Sequence, residues 1–214
     1  MAAGKFVKAA AQLLRILGGD RCALAGGMAV NAHGFVRGTR DVDVVVAMPL
    51  AEARRLLSKS GVTARLFKGD LVEGDFPCLK GVIPVGSRPA DAVPFDVLPT
   101  LVPLEPERFV DLLVRGQRLR VVDPDTLIRL KLKAGSSHDL YDVAILANLH
   151  PDWMEHALAL AASHGTEMGE RLATLIREPR VRGQAKEVQR QDRALQAFAR
   201  RAAAKRTPGS DSDP

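Results

Sequence analysis

Cysteine is scarce, with only Cys22 and Cys78 in 214 residues. Two thiols so far apart build no disulfide framework and match no metal-ligand spacing. Both read as small buried hydrophobes of a reducing cytoplasm. Aromatic residues make up 4% of the chain, which argues against an extended stacking platform for single-stranded nucleic acid. No apolar run approaches the ~20 residues needed to cross a bilayer, and the N-terminus has no long apolar segment of signal-peptide type. The expectation is a cytoplasmic protein with no membrane partner. The five histidines are scattered without ligand spacing, no Ser-His-Asp or Cys-His arrangement is suggested, and no internal repeat is visible. What is present is ordinary for a globular protein, 46% hydrophobic and 26% charged, so a real core is expected.

The chain is organised around residues 22–46. A short apolar run ends at Gly26-Gly27, a small-residue helical stretch and a polar turn follow, and Asp41-Val42-Asp43 leads into a β-branched run. On a strand, Asp41 and Asp43 point the same way while Val42 and Val44 point into the core. Two carboxylates on one face repel each other unless a cation sits between them. Magnesium, a hard ion held by a few carboxylates and by substrate phosphate oxygens, suits such a pair. A glycine pair between strand and helix lets backbone N–H groups approach a phosphate closely. Either feature alone is weak, a tight turn or a solvated strand edge. Together, in this order on a strand–helix–strand frame, they point to phosphate chemistry.

The run from Gly26-Gly27 to Asp41-x-Asp43 resembles the signature of the DNA polymerase β-type nucleotidyltransferase superfamily. Its Arg37-x-Thr39-x-Asp41-x-Asp43 spacing is most similar to the AbiEii-like type IV toxin nucleotidyltransferases. The resemblance spans about residues 20–150. It implies a third carboxylate on a later strand, matched by Asp96 in Pro94-Phe95-Asp96-Val97-Leu98, and two Mg2+ ions, with Mn2+ able to substitute, on Asp41, Asp43 and Asp96. A nucleoside triphosphate would lie against Gly26, Gly27, Arg37, Thr39, Arg40, Lys131 and Asp139. Lys131 matches the lysine of the family's second block, whereas Lys133, two residues on, points elsewhere on its helix and reads as surface. Asp139 and Asp142 share a helix face and are similar to a Lys-Asp-x-x-Asp block, but His138 stands where the basic residue is expected. Each site has a plainer reading as well: Asp96 as a strand-edge charge, Lys131 as a snorkelling lysine, Asp139 as a helix N-cap with Asp142 a solvated acid. Arg37 and Arg40 either clamp phosphates or neutralise the acidic cluster, and Thr39 either contacts the nucleotide or orients the turn.

The fold expected is α/β (α+β). A small mixed twisted sheet with flanking helices occupies residues 1–122, a helical region residues 123–206, and a disordered tail residues 207–214. Helices are read over 5–17, 26–34, 50–60, 105–115, 123–133, 138–148, 151–163, 166–177 and 181–205. Strands are read over 22–25, 42–47, 62–68, 79–85, 93–98 and 117–122, and residues 69–78 are irregular. Residues 171–206 hold eleven Lys/Arg against three Asp/Glu, so the net charge of +6 belongs to the C-terminal helix. The function expected is metal-dependent transfer of a nucleoside monophosphate to an acceptor hydroxyl. The resemblance implies an RNA 3′ end, such as that of a tRNA, and a cognate antitoxin as partner. Transfer to a small molecule or a protein, or a catalytically silent nucleotide-binding module, are the rival readings. The basic extension favours a polyanionic acceptor but also suits an oligomer or partner surface.

Overall fold

The computed structural model describes residues 2–69, 77–100, 109–114 and 116–204. Seven strands form one mixed sheet: β1 (Cys22–Leu24), β2 (Val42–Val46), β3 (Ala64–Phe67), β4 (Cys78–Pro84), β5 (Ala92–Pro99), β6 (Phe109–Val114) and β7 (Gln117–Val122), in the order β3-β4-β5-β2-β1-β7-β6. The pairs β2–β5 and β1–β7 are parallel and the others antiparallel. Helices α1 (Ala2–Leu17) and α3 (Leu50–Lys59) pack against the sheet through buried Leu13, Leu17, Ala53 and Leu57. The strand residues of that layer, Val42, Val44, Leu79, Phe95 and Val97, are almost wholly removed from water. This layer is the main hydrophobic core and fixes the register of β2 against β5.

Register places a row of charged side chains. Asp43 stands opposite Asp96, Asp96 opposite Lys80, and Lys80 opposite Arg65, one residue on each of four adjacent strands. Alternation then puts Val45 and Leu98 on the same face as Asp43 and Asp96.

The connection from β1 to β2 is α2 (Gly26–Ala32), ended by His33 and by Gly34 at φ +104°. The helical half comprises α4 (Pro124–Ala134), α5 (Ser137–Leu149), α6 (Met154–Ser163), α7 (Thr166–Arg177) and α8 (Pro179–Ala204). Asp123 caps α4 by accepting from the Thr126 amide at 2.6 Å, and Gly135 closes it in the left-handed region at φ +66°. Buried α5 is the centre of this half and contacts α4, α6, α7 and α8. The long basic α8 docks through buried Val181 and Ala185 and through Val188, with Arg182 and Lys186 exposed. Among the described residues, no helix is long and apolar enough to cross a membrane.

One element differs from expectation. Residues 109–114, read as part of a helix over 105–115, form β6 and pair with β7 from Phe109↔Val122 to Val114↔Gln117. Gly116, which would end a helix over 105–115, instead sits at φ +74° between β6 and β7. Both uses of glycine exploit the same positive φ, and the run Phe-Val-Asp-Leu-Leu-Val fits either period. Residues 105–108, most of the irregular stretch 69–78 and the tail 207–214 lie outside the described residues. Cys22 and Cys78 are buried, as expected.

Candidate active site

The site is assembled where β1 hands the chain to α2. Gly26 adopts φ +53°, and a β-carbon there would lie 1.7 Å from Asp43 Oδ2, inside the carboxylate. A β-carbon on Gly27 would meet Thr39 Oγ1 at 2.8 Å. The glycine pair is therefore demanded by the approach of the Asp43 strand and the Thr39 turn to the backbone of α2. The Gly27 backbone amide favours the ionised form of the Asp43 carboxyl.

Asp41 and Asp43 line a cleft of about 600 Å³ with Gly26, Gly27, Arg37, Thr39, Arg40, Lys131 and His138. The Thr39 hydroxyl lies 3.1 Å from the Asp41 carbonyl oxygen and 3.3 Å from Asp41 Oδ1, so this side chain orients the turn entering β2. Burial, then the charges of Asp41 and Asp96, push the Asp43 carboxyl up to about 7, and Lys131 and the Gly27 amide offset this only in part. Like charges face one another here without a full counter-charge. A second pocket of about 210 Å³, lined by Leu98, Pro99, Leu127, Leu130 and Ala134, joins the cleft at Gly26, Asp43 and Lys131.

Asp96 is one strand away, and its carboxylate is held by Lys80 Nζ at 2.8 Å. The three carboxylates are neighbours without converging, and among the described residues no three metal-ligating side chains form a ready-made cage. The hydrogen bond and charge of Asp96 hold the Lys80 ammonium above its ordinary pKa.

Behind the cleft the charges are satisfied. Arg37 grips Asp142 with two parallel bonds, Nε to Oδ1 at 2.8 Å and Nη2 to Oδ2 at 2.6 Å, and its Nη1 donates to the Gly38 carbonyl at 3.0 Å. Lys131 bridges Asp139 at 2.6 Å and Asp142 at 2.9 Å. Burial alone would lower the Lys131 pKa, but the two carboxylates outweigh it and hold the pKa above its ordinary value. Asn31 fixes the backbone of Arg37 from both sides, accepting its N–H at 2.8 Å and donating to its carbonyl at 2.9 Å.

Two plainer readings are corrected by this geometry. Asp142 is fully buried at the junction of two cations, not a solvated acid. Asp139 is not the N-cap of α5: Ser136 is, accepting from the Asp139 amide at 3.1 Å while its hydroxyl donates to Asp139 Oδ2 at 2.6 Å. Arg40 is exposed at the cleft, and Lys133 is exposed away from it. Lys80 and Asn31 were not anticipated. The period-2 alternation around Lys80 carries a signal for the first, but a lone asparagine in a short helix carries none.

Solved structures similar to the chain include these three. A nucleotidyltransferase-like protein from Paracoccidioides brasiliensis is 17% identical, with 78% of this chain and 92% of that one covered, at TM-score 0.49. JHP933 from Helicobacter pylori is 14% identical over 90% and 97% of the two chains, at TM-score 0.43. ANT(2″)-Ia in complex with adenylyl-2″-tobramycin is 15% identical over 80% and 96%, at TM-score 0.39. Among curated proteins, none matches the chain. The family model for the nucleotidyl transferase AbiEii toxin of type IV toxin–antitoxin systems matches residues 10–208, nearly the whole chain, and the protein belongs to that family.

Proposed function

We propose that the protein is a metal-dependent nucleotidyltransferase that moves a nucleoside monophosphate from a nucleoside triphosphate to the 3′-hydroxyl of an RNA, with a tRNA end as one such acceptor. The observation that carries this reading is the cleft lined by both Asp41 and Asp43, with the Asp43 carboxyl pushed up to about 7 by burial and by its acidic neighbours. A divalent cation is what such a pair lacks, and hard carboxylate oxygens fit Mg2+, or Mn2+ in its place. Asp41 and Asp43 would hold the ions, and Asp96, in register with Asp43, would join them on parting from Lys80. Bound metal supplies Lewis acidity toward the acceptor hydroxyl and charge neutralisation at the leaving pyrophosphate.

The protein's own residues divide the rest of the work. The acceptor oxygen forms a bond to the α-phosphorus as the bond from that phosphorus to the β-bridging oxygen breaks. Pyrophosphate leaves, and Asp96 positions the hydroxyl or takes its proton. Arg40, exposed at the cleft and in no ion pair among the described residues, is the arginine best placed to meet a phosphate. Arg37 orients the turn through Asp142, and Lys131 contributes positive charge at the cleft wall while tied to α5. Family membership supports a cognate antitoxin as partner and a cytoplasmic setting for both.

The test is incubation of the full chain with each α-labelled nucleoside triphosphate and total RNA, with magnesium and with chelator. Label in RNA with magnesium, absent with chelator and absent in Asp41→Asn, is the expected result. Label on a protein or small molecule alone, or transfer that survives chelation, overturns it.

A further inference from the structure

The row Asp43–Asp96–Lys80–Arg65 continues from the cleft along one face of the sheet onto β4 and β3, where Lys80 and Arg65 are exposed. On β3 and β4 this face presents Arg65, Phe67, Lys80 and Val82, with Phe67 47% and Val82 56% exposed. Pro94 on β5 is exposed beside them. Phe67 is the one aromatic among the exposed large hydrophobic side chains of the described residues. The Lys80 ammonium stands 5.4 Å from the centre of its ring while bonded to Asp96.

We infer that this face receives the 3′ end of a single-stranded polynucleotide acceptor, with its terminal base stacked on Phe67 and its phosphates on Arg65 and Lys80. The inference rests on the nucleotidyl-transfer reading. Three features select that occupant. The cations favour a polyanion and disfavour a cationic small-molecule acceptor. A flat exposed ring suits a base, and one ring suits one base, in keeping with a chain that has few aromatics. The patch also lies one strand from Asp96, so a strand seated there ends at the carboxylates.

Lys80 acts as a positioning residue in this arrangement. Asp96 and an arriving phosphate compete for the same ammonium, because one Nζ cannot serve both without weakening its hold on each. Acceptor binding thereby frees Asp96 to turn toward Asp43 and the acceptor hydroxyl. Lys80 is then needed most when the acceptor is dilute.

The test uses the full chain in magnesium without nucleotide, and fluorescence anisotropy of a 5′-labelled oligoadenylate. Phe67→Ala should weaken binding on the order of tenfold, Phe67→Tyr should restore it, and Arg65→Ala with Lys80→Ala should flatten its salt dependence. A blunt duplex of the same length should compete poorly. In transfer assays Lys80→Ala should raise KM for RNA more than it lowers kcat. Unchanged oligoadenylate affinity in Phe67→Ala, equal competition by the duplex, or no binding by the native chain overturns the inference. Failure of the nucleotidyl-transfer reading is recognised separately, as absence of labelled product with any acceptor, because oligonucleotide binding is measured without it.

Discussion

Two acidic clusters lie a few residues apart in space and are treated in opposite ways. Asp139 and Asp142 meet Lys131 and Arg37 in a buried, charge-matched network that joins α4, α5 and the turn before β2. Asp41 and Asp43 meet mainly each other, with Asp96 adding to the repulsion. The first arrangement is how a protein uses charge to hold elements in place. The second is unfavourable in the free protein, which is what the proposed cation site would relieve. Removing a carboxylate should therefore have opposite signs in the two clusters.

The largest effect is expected at Asp142. Asp142→Ala leaves Arg37 and Lys131 buried or half-buried without their shared partner, a loss of about 3–5 kcal/mol. In a chain of this size that is roughly a 10 °C fall in Tm, read by calorimetry with magnesium and nucleotide absent. A variant as stable as the native chain would mean that the network is not a brace.

Asp43→Asn should do the reverse. The Asp43 carboxyl is raised from 3.8 to about 7, so the folded state holds the proton more tightly than the unfolded chain. Stability is then lost as pH rises through that window, and the penalty is complete above about 7. In chelator at pH 8 the variant should gain on the order of a few kcal/mol at most, and near pH 4 the gain should vanish. The same variant should lose nucleotidyl transfer. Denaturation curves at the two pH values check the sign, and a variant less stable than the native chain at pH 8 would show that the repulsion is not the governing interaction.

The contrast was half legible in the sequence. Asp41 and Asp43 announced themselves because a period-2 pattern places both on one face regardless of tertiary context. Gly26 was legible as a special position, but its reason was not: the clash is with Asp43, seventeen residues on, and only strand pairing brings the two together. Asp142 reads in the sequence either as part of a Lys-Asp-x-x-Asp block or as a solvated helical acid, because its partners, Arg37 and Lys131, come from other elements. The strand at 109–114 was missed for a related reason. Its partner β7 decides between two periods that the local residues leave balanced. What depends on spacing along one element could be read directly, and what depends on which elements meet could not.

A smaller effect separates the two lysines of α4. Lys131→Ala removes the cation between Asp139 and Asp142, leaving a buried acid with Arg37 alone, and should cost about 1–3 kcal/mol. It should also deepen the imbalance around Asp43, for which Lys131 is the compensating charge. Exposed Lys133→Ala should stay within about 0.5 kcal/mol of the native chain. Paired urea titrations distinguish them, and the reverse ranking would place the brace on the wrong side of the helix.

The smallest effect concerns His33, at the end of α2, and it runs against that of Asp43. The ring is half-buried, with Nε2 donating to the Val122 carbonyl at 2.8 Å and the Trp153 ring edge-on at 5.5 Å. Burial first, then the neighbouring His150, hold its pKa below the ordinary 6.5, while the Val122 carbonyl and Asp123 pull the other way. A base with a lowered pKa binds fewer protons folded than unfolded, so stability falls as pH drops below 6.5 and is level above it. In the native chain the opposite slope of Asp43 masks this trend over part of the same range. Asp43→Asn removes the mask, and in that background stability should rise with pH up to about 6.5 and then flatten. Adding His33→Gln should flatten the rise. The ring signals of His33 in NMR titration give an independent reading: they should still report mostly neutral imidazole at pH 6.5. A His33 that is half-protonated or more at that pH would remove the histidine from the account and leave the carboxylates to set the whole pH profile.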